Sequence, residues 1–332
     1  MKSVLLPDYN KNVLRAMLGL KISDLELPVL KEDEVLVKTE AAVCNPSDIA
    51  FIQGVYNIIK PLPAIPGFEA AGVIVDEGKR VQGLKGKKVS AFVQSNDSGT
   101  WSEYFVAKTS DIIILDDKMP DDQAACFTVN PFTAYGMFQK AKHIKTPAIM
   151  QNASGSQVAS FLRKMAEEAG MEVIDIVRKE ETASFLRDEG SKYVLADSDE
   201  NFDKKLRQLC KKLKPHIAYD AVGGSLSGKM YNSLRPNSEM IVYGGLSNKP
   251  MNDLNVMGAI FHNKIISGFN LIDWKASLKE GNFEQISIHL QSKFIEGVYK
   301  TKIANTVDID SILKGLKSYL GNMSAGKLLI KP

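Results

Sequence analysis

Apolar and polar positions change their period near residue 121, and the change divides the chain into two kinds of structure. Before it the period is two. Val35, Val37 and Thr39 alternate with Leu36, Lys38 and Glu40, the pattern of a half-buried strand. Ala70 to Asp76 and Lys88 to Val93 read as further strands, and Asn45-Pro46-Ser47-Asp48 as a loop leading into a short helical stretch. Pro61, Pro63, Pro66 and Gly67 break any helix over 57–67. This half predicts a small barrel or irregular sheet. Asp121 then starts a helix through Ala124, Ala125 and Phe127, Asn130-Pro131 interrupts it, and a second helix begins near Thr133. From 147 strands and helices alternate. Strands are predicted at Ala148 to Met150, Val173 to Val177, Tyr193 to Leu195, His216 to Asp220, Glu239 to Tyr243 and Ile265 to Phe269. That alternation predicts a parallel, doubly wound α/β sheet. The last stretch, from about 270, carries helices from 282 and 309 and a strand at Lys327 to Ile330.

One strand–turn–helix organises the second half. The turn Asn152-Ala153-Ser154-Gly155-Ser156 consists of small residues. Val158, Phe161, Leu162, Met165, Ala166 and Ala169 follow on one helical face, Arg163, Lys164, Glu167 and Glu168 occupy the other, and Gly170 stops the helix. With the strand ending at Val177 this makes a βαβ unit whose turn lies where a dinucleotide pyrophosphate meets a helix N-terminus. The G-x-G-x-x-G fingerprint would fall on Ser154, Ser156 and Ala159, so no position keeps its glycine. Small residues there still admit a pyrophosphate, but a bland βαβ unit with a polar turn would look much the same.

Composition narrows the class. The chain has 332 residues, enough for two domains, and a net charge of only +3 with no long basic run, so nucleic acid is not an expected partner. No apolar run approaches a membrane span, and Pro7-Asp8 breaks the N-terminal stretch before a signal peptide forms. Cys44, Cys126 and Cys210 are too widely spaced for a disulfide framework. The expectation is a cytoplasmic enzyme.

Over nearly its whole length the chain resembles the medium-chain dehydrogenase/reductases. The resemblance lies in the order and spacing of Asn45-Pro46-Ser47-Asp48, Gln53-Gly54-Val55-Tyr56, Pro63-Ala64-Ile65-Pro66-Gly67-Phe68-Glu69, Gly99-Thr100-Trp101-Ser102-Glu103-Tyr104, Val129-Asn130-Pro131-Phe132-Thr133-Ala134-Tyr135, Asp220-Ala221-Val222-Gly223-Gly224 and Gly268-Phe269. Within that family it is similar to the zinc-free quinone reductases and most similar to the 2-enoyl thioester reductases. The resemblance implies a GroES-like β-rich catalytic domain built from 1–120 and 269–332 around an inserted Rossmann domain, 121–268, and a homodimer.

Zinc members of the family hold the metal with a cysteine, a histidine and a second cysteine. Here those positions fall on Asn45, Phe68 and near Val129, with Cys44 one residue early and Cys126 displaced by about a helical turn. None of His143, His216, His262 and His289 has a partner at metal-ligand spacing, so no metal is expected. The second strand of the βαβ unit ends at Val177 without the acid that binds a ribose 2′-hydroxyl, and Arg178-Lys179 follow. Two cations suit a 2′-phosphate, which favours NADPH, although the pair also reads as solvated surface charge. Asp175, the competing acid, lies two residues inside the strand. The resemblance further implies that Asn130 lies near the nicotinamide and that Gly155, Ser156, Gln157 and Val158 hold the pyrophosphate. Tyr243, Gly244, Gly245 and Leu246 would line the cofactor. Phe269, Asn270 and Leu271 would close over the nicotinamide, and Lys327 would reach it from the C-terminal segment. Asn45 and Thr133 complete the set. Asn270 stands where the family often has a tryptophan, which alters the expected substrate pocket.

Without zinc, alcohol oxidation lacks its Lewis acid, whereas reduction of an activated double bond or a quinone needs none. Tyr56 matches the tyrosine that enoyl reductases place near that step, either as a proton donor or as a lining residue. Three readings stay open: an NADPH-dependent reductase of 2-enoyl thioesters or enones, a quinone reductase, and a non-catalytic NADPH-binding protein.

Overall fold

The computed structural model describes residues 1–95 and 98–332. The chain forms two units, Met1–Val129 together with Gly281–Pro332, and Asn130–Glu280. The chain passes between them later than the expected 120/121 and 268/269, for local reasons on each side. The helix Asp121–Ala124 belongs to the first unit because Gln123 bonds both backbone groups of Thr301, donating to its carbonyl at 3.3 Å and accepting its N–H at 2.6 Å. Phe127 adds an edge-on contact to Phe294, with ring centroids 5.5 Å apart. At the other boundary, the helix Leu271–Ala276 stays with the second unit because Trp274 covers Gly136, where a β-carbon would lie 2.8 Å from the indole.

Among the described residues the second unit holds six parallel strands. Their spatial order is Tyr193–Ala196, Glu172–Val177, Ala148–Gln151, Ile217–Asp220, Glu239–Val242, Ile265–Gly268. The sequence order reverses between Ala148–Gln151 and Ile217–Asp220, which opens the crevice where dinucleotides bind such sheets. Each strand lies within a residue or two of its prediction. The helix Gln157–Glu168 buries Val158, Ala159, Phe161, Leu162, Met165 and Ala166. Ala169, expected on that face, is instead its exposed C-cap. Asn130-Pro131 does not interrupt a helix but begins the one spanning Asn130–Ile144, since proline at the first turn gives up an N–H that has no helical acceptor there anyway.

In the first unit the sheet runs Ile303–Asp308, Lys327–Lys331, Glu34–Cys44, Glu69–Glu77, Lys88–Phe92, Ile112–Ile114, with Tyr104–Lys108 also paired to Glu34–Cys44. Val35, Val37 and Thr39 are buried while Lys38 and Glu40 are exposed, but Leu36, expected to alternate with them, is buried as well. The C-terminal strand lies antiparallel to the end of Glu34–Cys44, with Leu328 opposite Cys44. That register sets Lys327 beside Asn45, a residue 282 positions away in sequence.

Candidate active site

In the first unit, Asn45 caps the helix Pro46–Ile52, and Asp48 reaches back to accept the Asn45 backbone N–H at 2.7 Å. The other Asp48 oxygen accepts the Phe68 N–H at 3.0 Å. This anchors the segment carrying Glu69, whose Oε1 accepts the Val129 N–H at 2.8 Å and whose Oε2 accepts the Asn45 side-chain Nδ2 at 2.7 Å. Lys327 Nζ donates to Asn45 Oδ1. Asn45, Asp48, Glu69 and Lys327 are all buried. Burial pushes Asp48 up to about 7, outweighing its two backbone hydrogen bonds and the Lys327 charge. It also raises Glu69, against the pull of Lys327 and the Asn45 amide. Asp48 and Glu69 were invisible as site residues in sequence. The Asn45-to-Asp48 spacing of a capping box is the signal that could have found the first.

Tyr56 lies half-buried with its ring tilted against Phe68, centroids 5.4 Å apart, and its hydroxyl accepts from Gln94 Nε2 at 3.4 Å. Burial raises the phenol above its ordinary value, so it stays protonated at neutral pH. Phe68 is fully buried and also packs edge-on against Phe51 at 5.3 Å. The ammonium of buried Lys60 sits over both phenylalanine rings, a cation the sequence did not single out.

These residues do not fit a zinc ion. Phe68 offers a ring where the histidine would stand, both ends of the Asn45 amide are engaged, and a lysine ammonium already occupies the neighbourhood. The Cys44 and Cys126 thiols are buried, and burial holds both well above the ordinary thiol range. Among the described residues, no three histidine, cysteine or acidic side chains have metal-holding geometry.

In the second unit, a buried ion pair shapes the small-residue turn. Arg163 clasps Asp175 through two bonds of 2.8 and 2.9 Å, and Gln151 Nε2 donates to the same carboxylate at 2.7 Å. The Arg163 guanidinium also donates to the Ser154 carbonyl at 2.8 Å, while Ser154 Oγ accepts the Ile176 N–H at 2.9 Å. Asp175 is therefore fully engaged as a strut, and Arg163, which the helical pattern placed on a solvated face, completes it. Ser156 caps the helix Gln157–Glu168, its hydroxyl accepting from the Ala159 N–H at 3.3 Å. Gly155, Ser156 and Gln157 are half-buried at the turn and Val158 is buried.

Asn130 and Thr133 are buried on the first turn of their helix, and the Asn130 Nδ2 has no hydrogen-bond partner. The Tyr243 hydroxyl lies beside Ser156 but has no partner in hydrogen-bond geometry, and burial raises its pKa. Orphaned buried polar atoms in this unit, one of them beside the dinucleotide-type turn, are what a site shaped for a polar cofactor presents. Tyr243, Gly244, Phe269 and Asn270 line one open groove together with Asp273 and Trp274. Gly244 sits close to neighbouring backbone, where a β-carbon would lie a tight 3.0 Å from the Ala221 carbonyl. Gly245 and Leu246 are exposed beyond it, and half-buried Leu271 is not part of the lining. Asn270 has a local role: its Oδ1 caps the helix Leu271–Ala276, accepting from Ile272 and Asp273 at 2.8 and 3.2 Å. Trp274, one turn later, supplies the aromatic wall, packed at 6.2 Å from Phe269 and 6.4 Å from Tyr135. Arg178 and Lys179 are exposed just past the strand Glu172–Val177.

Comparison with known proteins agrees with this geometry. Residues 31–117 match the alcohol dehydrogenase GroES-like domain, and residues 158–286 match the zinc-binding dehydrogenase domain, whose description names a metal that the donor set here does not accommodate. The mitochondrial enoyl-[acyl-carrier-protein] reductase of Rattus norvegicus is 31% identical over 286 residues, 84% of this chain and 75% of the relative. That of Xenopus tropicalis is 31% identical over 274 residues, 80% of this chain and 77% of the relative. A Mesorhizobium loti protein with the provisional name NADPH:quinone reductase superposes with a TM-score of 0.94 at 32% identity, over 100% of this chain and 98% of its own. The Candida tropicalis mitochondrial 2-enoyl thioester reductase Etr1p/Etr2p heterodimer shares the fold, with a TM-score of 0.79 at 22% identity over 100% of this chain and 99% of that one. The chain belongs to the medium-chain dehydrogenase/reductases, the family of oxidoreductases that unites those enoyl reductases and quinone reductases.

Proposed function

We propose that the chain is an NADPH-dependent reductase of activated C=C bonds, in 2-enoyl thioesters or enones, working without zinc. The observation that carries this reading is the donor set at the family's zinc position, an Asn45 amide held between Glu69 and Lys327. Such a set can orient a polar ligand but offers no Lewis acid. The cofactor would supply a hydride to the electron-poor carbon. Tyr56, a phenol already protonated at neutral pH and raised further by burial, would hold a proton for the carbon next to the carbonyl. Gly155, Ser156, Gln157 and Val158 would receive the pyrophosphate at the helix N-terminus. The unmet Asn130 amide and Tyr243 hydroxyl would gain partners from the cofactor, with Thr133, Gly244, Phe269 and Asn270 shaping the space around it. Arg178 and Lys179 support the phosphorylated dinucleotide, because Asp175 is engaged with Arg163 and unavailable to a ribose.

A quinone reductase is the second reading, favoured by the Mesorhizobium loti protein and by the absence of a tryptophan at Asn270. Steady-state NADPH oxidation against 2-enoyl thioesters, enones and quinones, with and without a chelator, separates the two. The expected result is highest kcat/KM on a C=C substrate, unchanged by the chelator. Highest kcat/KM on quinones would install the second reading, no turnover of any class would leave a non-catalytic NADPH-binding protein, and loss of activity with the chelator would overturn the zinc-free mechanism.

A homodimer belongs to the same proposal. The edge strand Ile265–Gly268 exposes Ile265 and Ile266, and the preceding helix Val256–His262 exposes Ile260 and Phe261, an apolar face suited to a second copy. No helix among the described residues is long and apolar enough to cross a membrane. The relatives are named mitochondrial, and a cytoplasmic location for this chain is an expectation that cell fractionation tests.

A further inference from the structure

Glu69 is a fully buried acidic residue that takes no part in the hydride or proton transfer above. A buried carboxylate is costly unless its hydrogen bonds are complete, and a well-packed apolar residue would serve stability as well or better. What Glu69 does have is control of an amide. A carboxylate only accepts hydrogen bonds, so Asn45 must turn its Nδ2 toward Glu69, at 2.7 Å. An ammonium only donates, so Asn45 must turn its Oδ1 toward Lys327. The two charges fix the carboxamide from opposite ends. Asn45 takes one of the three Lys327 N–H donors and is the ammonium's one hydrogen-bond acceptor among the described residues. The remaining donors suit an uncharged carbonyl oxygen. The second Glu69 oxygen holds the N–H of Val129, the residue before Asn130, so one carboxylate steadies both the Asn45–Lys327 pair and the start of the segment that carries the unmet Asn130 amide.

We infer that Glu69 is a positioning residue for the nicotinamide end of the cofactor: through the Asn45 carboxamide it holds the Lys327 ammonium where the carboxamide oxygen of a nicotinamide would be bound. This rests on the proposed NADPH reading, with Lys327 reaching the nicotinamide as the family resemblance implies. Glu69→Gln keeps the shape but breaks the lock. A glutamine amide has a single acceptor end, so it satisfies either the Val129 N–H or the Asn45 amide and presents its own N–H groups to the other.

The test is fluorescence titration of the full-length chain, and of Glu69→Gln, Lys327→Ala and the double variant, with two probes. One is NADPH and the other is ADP-ribose 2′-phosphate, which lacks the nicotinamide. Each single variant should weaken NADPH roughly tenfold, the scale of one hydrogen bond to a charged group. The double variant should bind no more weakly than Lys327→Ala alone, since Glu69 acts through the lysine, and all should bind ADP-ribose 2′-phosphate like the parent. If the two losses multiply, or if Glu69→Gln weakens both probes equally, the positioning role is overturned while the NADPH reading stands. If Lys327→Ala binds NADPH as the parent does, Lys327 does not meet the nicotinamide, and the assignment of this residue falls along with the inference. Glu69→Asp, which keeps the charge but withdraws it by one methylene from Asn45, serves the same cycle should Glu69→Gln lose its fold.

Discussion

The two units carry their candidate site residues in opposite conditions. In the first, Asn45, Asp48 and Glu69 bond to one another, to Lys327 and to backbone, so these three are complete within the chain. In the second, the Asn130 amide and the Tyr243 hydroxyl are buried and unmet. A complete cluster keeps its shape whether or not a ligand is present. An incomplete one is held at a cost of about 1–3 kcal/mol per orphaned group, which a ligand can return as affinity. The difference separates candidate residues that are preformed, a template, from candidate residues that still lack partners, a receptor.

The largest expected effect concerns the template side. Tyr56→Phe keeps the ring on Phe68 and removes the hydroxyl, so turnover of C=C substrates should fall roughly 10²- to 10⁴-fold with NADPH affinity little changed. Quinones should suffer less, because a reduced quinone oxygen takes its proton from water. Full activity of Tyr56→Phe on its best C=C substrate would demote the residue to lining.

Stability of the cofactor-free protein breaks the comparison most directly. Asn45→Leu strands Glu69 and Lys327 in the interior and should cost about 3–5 kcal/mol in urea denaturation. Asn130→Leu removes an unmet donor and should change stability by about 1 kcal/mol or less. Equal losses would erase the distinction.

On the rim, Arg178→Ala should weaken NADPH by roughly 10- to 100-fold and leave NADH almost unaffected, since only NADPH carries the 2′-phosphate. Equal weakening of both would return Arg178 to solvated surface charge.

The last effect is a pH dependence of stability. Asp48 titrates at about 7 in the folded chain, above its unfolded value of roughly 3.9. Between those values the folded state holds a proton that the unfolded state has released. Stability from this group is therefore full below about pH 4 and is lost as pH rises through 7. Denaturation midpoints should be higher at pH 5 than at pH 8. Asp48→Asn, whatever its absolute stability, should narrow that gap, and an unchanged gap would assign the dependence elsewhere.

Much of the fold was legible because it is written locally. The face of Val158, Phe161, Leu162 and Met165, and strands such as Glu239–Val242, follow from period and punctuation alone. Motifs single out candidate site residues such as Asn45 and Tyr56 from the sequence. The site was illegible where charges meet across long separations. Nothing near Glu69 in sequence announces Asn45 or Val129, and Arg163 looks like a surface arginine until Asp175 folds against it. Asn270 has a second role that its position did not announce. It lines the groove, and its short side chain also caps the helix Leu271–Ala276, while Trp274 supplies the aromatic wall.

The placement of Lys327–Lys331 also has a consequence for how the chain is made. This strand sits inside its sheet, parallel to Ile303–Asp308 on one side and antiparallel to Glu34–Cys44 on the other. A ribosome that has released residues 1–129 has not yet supplied it. Asn130–Glu280 is continuous in sequence and builds its six strands from neighbours in time, so it can fold during synthesis. The first unit must wait for Lys327–Lys331 to leave the ribosome, then close the long loop between Asn45 and Lys327. Nascent chains arrested before Lys327 should therefore protect Asn130–Glu280 from protease while leaving Asn45 and Glu69 without their lysine. The template comes into existence only after the second unit has been made.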